Sequence, residues 1–390
     1  MKTNRTRILF VMGRLGVNGA TKSLLALLAA LPKDCFDISL FVCLHDTKGC
    51  LSALPVSVKL LPPVLEYEIH RLPLRHAVSE AFKHRRWDMI LFRLRIALAR
   101  MMNRGVYPCW DTLPAIKGDW DFAISYADGW LSSMVINKVT AGKKLLWLHI
   151  NPVLDPLPEE SLGAMKKADG IIGVSKDCVE NLERLVGEDK LPKRFVVHNI
   201  VDEKKLKRLA ACEKVSLPGD GYKILTVGRL TKEKGHIMIP SILKKLMDKG
   251  ICADWSIVGA GLTAVKDGVI AKAQELGIAD HIHFLGAKEN PYSYYVAADC
   301  YAQTSFAEGW CMTISEALAL GVPVVCNDLP VFHEQVIDGV NGFCAKDEDS
   351  FADALARVLK SEANLRMDGD SPCHTHRVIQ EFNEVVASYL

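Results

Sequence analysis

Thr304-Ser-Phe-Ala-Glu-Gly-Trp-Cys-Met-Thr-Ile-Ser-Glu-Ala-Leu-Ala-Leu-Gly-Val-Pro-Val-Val325 is the stretch from which the architecture is read. Residues 298–303 predict the end of a strand, Ser305 to Cys311 a loop, Thr313 to Leu320 a short helix closed by Gly321, and Pro323-Val-Val325 the start of another strand. Strand, loop, helix and strand make a parallel crossover unit, and such units bind ligands in the loops at the carboxyl ends of their strands. Glu308 falls in that loop and Glu316 in the first turn of the helix. The backbone of Gly309, Trp310, Cys311, Met312 and Thr313 lies near the helix N-terminus, where unpaired amides and the helix dipole favour an anion such as a diphosphate. Two plainer readings stay open. Thr313-Ile-Ser-Glu316 has the spacing of a capping box, which would satisfy the helix's own amides, and Glu308 read alone is an ordinary loop carboxylate.

At 390 residues, nearly half of them apolar, the chain is long enough for two domains of ordinary size, each with its own core. No run approaches the roughly eighteen uninterrupted apolar residues of a membrane span. Met-Lys-Thr-Asn-Arg-Thr-Arg leads straight into Ile8-Leu-Phe-Val11, so no signal peptide is expected. The twelve cysteines are scattered, without a C-x-x-C pair or His/Cys spacing for zinc, and Cys43, Cys300, Cys326 and Cys344 lie in apolar, strand-like runs. They predict buried thiols, a cytoplasmic setting and no metal site. Net charge is only +2 but uneven: residues 1–200 hold 28 Lys and Arg against 20 Asp and Glu, and residues 201–390 hold 20 against 26. A basic first half suggests a membrane surface or another polyanion as partner. No nucleic-acid motif accompanies it, so nucleic acid is not expected.

Residues 7–12 predict an apolar strand, followed by Gly13-Arg-Leu-Gly16-Val-Asn-Gly19-Ala and a helical run from Thr21 to Leu31. Strand, glycine loop and helix N-terminus describe a phosphate-facing turn. The glycines are three apart, however, which fails the dinucleotide spacing, and no P-loop lysine follows. Further strands are expected at Asp37–Cys43, Val56–Leu61, Asp121–Tyr126, Lys144–His149, Ala168–Ser175 and Phe195–Asp202.

Between Arg71 and Arg104, nine basic residues meet only Glu80 and Asp88, interleaved with Phe82, Trp87, Leu91, Phe92, Leu94, Leu98, Met101 and Met102. Arginine among Trp, Phe and Leu at helical spacing suits a helix on an anionic lipid surface. The alternative is an amphipathic helix packed on its own domain with a solvated basic face.

Glu213-Lys-Val-Ser-Leu-Pro-Gly-Asp-Gly221 is read as a linker, after which the strand and helix pattern restarts. Lys223-Ile-Leu-Thr-Val-Gly-Arg229 is a strand ending in Gly-Arg, and Lys232-Glu-Lys-Gly-His236 leads into a helix. Arg229 and Lys234 therefore sit in a strand-end loop, where a guanidinium fork and a lysine point charge suit a diphosphate. Trp255–Gly261 and His281–Gly286, the latter carrying Phe284, predict two strands whose loops could hold a nucleobase. A helix over Arg377–Leu390 is expected to pack back across the first domain. The expected division is 1–205, 206–370 and the returning helix 371–390.

The string Glu308-Gly-x-x-x-x-x-x-Glu316-Ala-x-Ala-x-Gly-x-Pro-Val-Val resembles the E-x7-E pattern of retaining glycosyltransferases of family four. Gly228-Arg-Leu-Thr-Lys-Glu-Lys-Gly235 is similar to that family's G-R-x-x-x-x-K-G string, and the Gly16/Gly19 loop and His149 stand where the family has a glycine-rich donor loop and a histidine lining the sugar pocket. The resemblance implies the GT-B fold: two α/β Rossmann-like domains with parallel sheets facing across a cleft, the first binding acceptor and the second a nucleotide sugar. It implies that Glu316 holds the ribose hydroxyls and Glu308 orients the transferred sugar. Arg229, Lys234 and the amides near Trp310 to Thr313 would stabilise charge on the departing diphosphate, without a metal and with anomeric retention. UDP is the expected nucleotide, and a glycan or lipid-linked molecule the expected acceptor. Gly309-Trp310-Cys311 replaces the family's Gly-Phe-Gly, which leaves the sugar open. A glycosidase pair fits less well, since eight helical steps would separate the carboxylates by about 12 Å, beyond the roughly 5–9.5 Å that such pairs need. A nucleotide-sugar epimerase or an inactive nucleotide-binding homologue are the other readings.

Overall fold

The computed structural model describes residues 5–16, 18–45, 50–101, 112–362, 365 and 374–390, the side chains of residues 50, 99 and 100 excepted. Two compact units emerge. The first comprises Met1–Val174, Cys178–Val197 and Ile379–Leu390, and the second Ser175–Asp177 with His198–Val378.

The first unit is built on seven strands: β1 (Thr6–Arg14), β2 (Phe36–Leu44), β3 (Lys59–Leu60), β4 (Phe122–Ser125), β5 (Lys143–Leu148), β6 (Gly170–Gly173) and β7 (Lys193–Val196). They lie in the order β3-β2-β1-β4-β5-β6-β7, every pairing parallel. Continuous apolar runs such as Ile8–Val11 and Phe122–Ile124 fit a sheet buried on both faces, and these side chains have almost no exposure.

The second unit repeats the scheme with β8 (Tyr222–Val227), β9 (Ala253–Val258), β10 (Ile282–Gly286), β11 (Cys300–Gln303), β12 (Val324–Asn327) and β13 (Gly342–Ala345). Their order is β10-β9-β8-β11-β12-β13, again all parallel. Trp255, Ile257, Leu243, Phe351 and Leu355 fill its core. In each sheet the chain order reverses once, between β1 and β4 and between β8 and β11. Such a reversal opens the crevice in which ligands of doubly wound sheets bind.

Several boundaries differ from expectation. β1 runs to Arg14, so Gly13 belongs to the strand and not to the loop. The following helix starts at Gly19, because Asn18 accepts a hydrogen bond from the Thr21 amide at 2.8 Å and caps it; Val17 lies outside the described residues. β7 ends at Val196, short of the expected strand to Asp202. The stretch 213–221 is not the unit boundary, which falls after Val197. Its polar, proline- and glycine-containing composition marks a turn tied to the second sheet, where the Gly221 amide donates to the Asp254 carboxylate at 2.9 Å. The C-terminal helix is Thr375–Ala387, and residues 371–373 lie outside the described part. Phe382 stacks on Phe10 and the Tyr389 hydroxyl donates to the Asp169 carbonyl, which ties the chain end to the first sheet.

The basic segment forms three helices, Leu65–Arg71, Leu74–Lys83 and Trp87–Met101; Met102 and Arg104 lie outside the described residues. No helix among the described residues is long and apolar enough to cross a membrane.

Candidate functional site

The second unit concentrates the candidate residues at the carboxyl ends of β8 and β11, the two strands flanking its reversal point. Beyond β8, Gly228 and Arg229 turn into the segment Thr231–Gly235. Gly235 has φ +65°, and a Cβ placed there would come within 1.9 Å of the Thr304 carbonyl, so only glycine lets the two loops close up. Two hydrogen bonds fasten them: the Phe306 amide donates to the Glu233 carbonyl at 2.8 Å, and the Thr304 hydroxyl to the Lys234 carbonyl at 3.1 Å. The result is a direct ion pair between the Lys234 ammonium and Glu308 Oε1, both largely buried. Burial alone would lower the Lys234 pKa; the charge of Glu308 and its hydrogen bond outweigh it and hold the ammonium above its ordinary value.

Glu308 is further fixed from beneath. Ser305 Oγ donates to Glu308 Oε1 at 2.9 Å, Gln303 Nε2 donates to Ser305 Oγ at 2.6 Å, and Gln303 Oε1 accepts from Thr313 Oγ1 at 3.2 Å and from the Tyr301 hydroxyl. Gln303 thus joins the strand end, the Glu308 loop and the helix start in one buried polar chain. Asn327, at the end of β12, donates to the carbonyls of Thr304 and Ser305 at 3.0 and 3.1 Å. Of these supports only Thr313 was singled out from the sequence. The polar run Gln303-Thr304-Ser305 at a strand end was the signal available, and it does not distinguish a polar network from an ordinary loop start.

The helix carrying Glu316 is Met312–Ala319, with Cys311 as N-cap and no side-chain cap. The capping-box reading of Thr313 and Glu316 therefore fails, since the N-cap is two residues before Thr313, whose hydroxyl turns to Gln303. Glu316, 2% exposed, accepts hydrogen bonds from the Tyr292 and Tyr295 hydroxyls at 3.2 and 3.1 Å. Trp310 is buried: its indole donates to Ser315 Oγ at 3.1 Å and its ring lies 5.0 Å from that of His198. The Gly309 carbonyl accepts from Ser175 Oγ at 2.9 Å. The Cys311 thiol, enclosed beside Glu308, is pushed up to about 12 by burial. Arg229 stands apart from this packing, its side chain 77% exposed with the Glu233 carboxylate 3.9 Å away. Phe284 lies on β10, two strands from the reversal, packed against the core with the Lys266 ammonium 5.4 Å from its ring. The structure therefore groups Lys234, Glu308 and Thr313, places Glu316 on the same helix, and leaves Phe284 away from them.

In the first unit, loops after β1, β4 and β5 flank the equivalent reversal. Gly16 and Gly19 follow β1, and Ser23 of the ensuing helix lies 3.1 Å from the Tyr126 hydroxyl. His149 follows β5. Its amide donates to both carboxylate oxygens of Asp128, at 3.0 and 3.1 Å, while its buried Nε2 has no hydrogen-bond partner among the described residues. Burial lowers the imidazole pKa to about 3, so His149 is neutral. Burial raises Asp128 to about 7 despite the His149 amide. Sequence reasoning passed over Asp128; an isolated Asp-Gly after a strand reads first as a turn.

Among the described residues no group of three or more His, Cys, Asp and Glu is placed to hold a metal ion. Residues 207–370 match the family model "Glycosyl transferases group 1". The match covers less than half of the chain. A relative from Campylobacter jejuni subsp. jejuni serotype O:2, N-acetylgalactosamine-N,N'-diacetylbacillosaminyl-diphospho-undecaprenol 4-alpha-N-acetylgalactosaminyltransferase, is 33% identical over 164 residues, 42% of each chain. The chain thus spans less than half the length of this curated relative. Whole-chain likeness is seen with solved structures. The apo form of the lipopolysaccharide outer core galactosyltransferase WaaB aligns with TM-score 0.63 and 18% identity over 99% of this chain and 100% of its own. Anabaena HepE, solved with UDP and glucose, aligns with TM-score 0.62 and 18% identity over 98% and 100%. At that identity the likeness shows fold, and the fold is GT-B, two Rossmann-like α/β domains. The residues that match the family model lie within the unit that holds Lys234, Glu308 and Glu316.

Proposed function

We propose that the chain is a retaining, metal-independent glycosyltransferase that moves a hexosyl or N-acetylhexosaminyl group from a UDP-sugar to a lipid-linked or growing polysaccharide acceptor. The observation that carries this reading is the buried Lys234–Glu308 pair at the strand reversal of the unit that matches the group 1 glycosyltransferase family model. Cleaving a sugar–diphosphate bond places negative charge on the leaving group, and fixed cations and amides in a water-poor site are the strongest way to stabilise it. Lys234 and the Met312–Ala319 helix N-terminus supply such a field, and Arg229 presents an exposed guanidinium for the arriving diphosphate. These charges do the work that a divalent cation does elsewhere.

Glu308, held from below by Ser305, orients the sugar through its hydroxyls. Glu316, which accepts from the Tyr292 and Tyr295 hydroxyls, takes the ribose hydroxyls. Neutral His149 offers its unpaired Nε2 to a sugar hydroxyl. The Campylobacter relative's name includes a diphospho-undecaprenol, and the HepE complex contains UDP and glucose; both support the kind of acceptor and donor named here. An acceptor of that kind would bring the enzyme to the cytoplasmic face of a membrane as a peripheral protein.

The test is a thermal-shift titration with UDP, GDP and ADP in chelator, repeated on Glu316→Ala, because a ligand that binds only the native state raises its stability. UDP is expected to stabilise the wild type by several degrees and the variant hardly at all. If no diphosphate acts even at millimolar concentration, the donor site is refuted. Turnover that needs an acceptor then separates transfer from epimerisation.

A further inference from the structure

The helix Trp87–Met101 carries two apolar stripes. One faces inward: Met89, Phe92 and Ile96 are buried, and Arg93 beside them is also buried, donating to the His70 and Leu72 carbonyls at 2.7 Å each. The other faces out. Trp87, Leu91, Leu94, Leu98 and Met101 recur at steps of four, three, four and three residues, which line one side of a helix, and each is 49–84% exposed. Phe82, 62% exposed at the end of the preceding helix, meets Trp87 edge-on with ring centroids 5.4 Å apart and extends the stripe. Of the nineteen exposed large apolar side chains among the described residues, seven fall between Leu74 and Met101. Elsewhere they are scattered, so this concentration needs a partner.

The charges around the stripe choose that partner. Arg85 and Arg95 are exposed beside it: Arg85 lies in the turn between the helices, and Arg95 follows Leu94 on the same side, while Lys83 pairs with Glu80 at 2.6 Å. Arg86 and Asp88 neutralise each other in an ion pair, and Arg86 also reaches Glu66. A second copy of this face would oppose cation to cation. An anionic bilayer offers hydrocarbon for the stripe and negative headgroups for its rim.

We propose that the outward face of the helices Leu74–Lys83 and Trp87–Met101 docks the first unit on an anionic lipid surface, with Phe82, Trp87, Leu91, Leu94, Leu98 and Met101 entering the headgroup boundary and Arg85 and Arg95 meeting the headgroups. This deepens the reading of a lipid-linked acceptor and rests on it. Each arginine near such a surface contributes about fivefold in binding, and the apolar stripe contributes the rest.

The experiment is co-sedimentation of the full chain with vesicles of phosphatidylcholine alone or with a third phosphatidylglycerol, alongside size-exclusion chromatography. It compares the wild type, Arg85→Gln/Arg95→Gln and Leu91→Gln/Leu94→Gln/Leu98→Gln. Wild type is expected to bind only the anionic vesicles. The arginine pair should weaken binding on the order of twenty-fold and added salt should weaken it further; the leucine triple should abolish it. Stabilisation by UDP, measured on the same preparations, should be unchanged in both variants, which keeps this proposal separate from the donor site. Wild type that ignores anionic vesicles, variants that bind as well as wild type, or a wild-type dimer that the leucine triple dissolves would each overturn it; the last would assign the face to a second copy.

Discussion

Asp128 in the first unit and Glu308 in the second are enclosed carboxylates at equivalent places, each beyond the strand that follows the reversal of its sheet. Their surroundings differ. Glu308 meets an ammonium and a hydroxyl, Lys234 and Ser305. Asp128 meets the His149 amide, with no cation paired to it among the described residues, and burial raises it to about 7. One fold position thus yields a carboxylate committed to an ion pair and another poised to hold or release a proton near neutrality. The neighbour supplied by the adjacent loop decides which, not the residue type.

The largest expected effect is on turnover. Lys234→Ala removes the buried cation and should lower kcat by about 10²–10³-fold, with a smaller change in KM. Steady-state kinetics on UDP-sugar will show this, and a kcat within threefold of wild type would remove Lys234 from the catalytic account. Next comes stability. Glu308→Leu strands the Lys234 charge and should cost about 2 kcal/mol, less than a fully buried pair because Lys234 keeps some exposure. Adding Lys234→Met should recover more than half of that loss in urea unfolding, and no recovery would mean that the pair is not coupled.

The third effect is confined to pH. Asp128 has a folded pKa raised above its unfolded value near 4, so its contribution is fully present below that value and is lost as pH rises through about 7. Wild type should therefore lose about 2 kcal/mol between pH 5 and 8 relative to Asp128→Asn, whose amide can still accept from the His149 backbone. Parallel unfolding curves for the two proteins across that range would show that Asp128 is not protonated in the native state.

Much of this was legible before any coordinates. Unbroken apolar runs such as Ile8–Val11 and Phe122–Ile124 announce strands buried on both faces, and Gly235 and Gly321 mark turns that side chains resist. The Glu308 loop, the Glu316 helix and the Lys234 loop were each assigned to their place. The linker was misplaced because Pro218, Gly219 and Gly221 describe a turn equally well inside a unit as between two. The segment from Arg71 to Arg104 held two readings, packed or lipid-facing, and the helix Trp87–Met101 carries one buried and one exposed apolar stripe.

The sequence by itself determined what local physics controls: the alternation of strand and helix, the doubly wound class and the residue types available to a diphosphate. Tertiary structure alone decided the partners. Lys234 and Glu308 lie 74 positions apart and meet only because β8 and β11 are neighbours in the sheet. Likewise Tyr292, Tyr295, Gln303 and Asn327 were unremarkable in the chain until folding aimed them at Glu316 and the Glu308 loop. Charge pairing and proton affinity depend on distances across the sheet and on enclosure, and neither quantity is written in the spacing of residues along the chain.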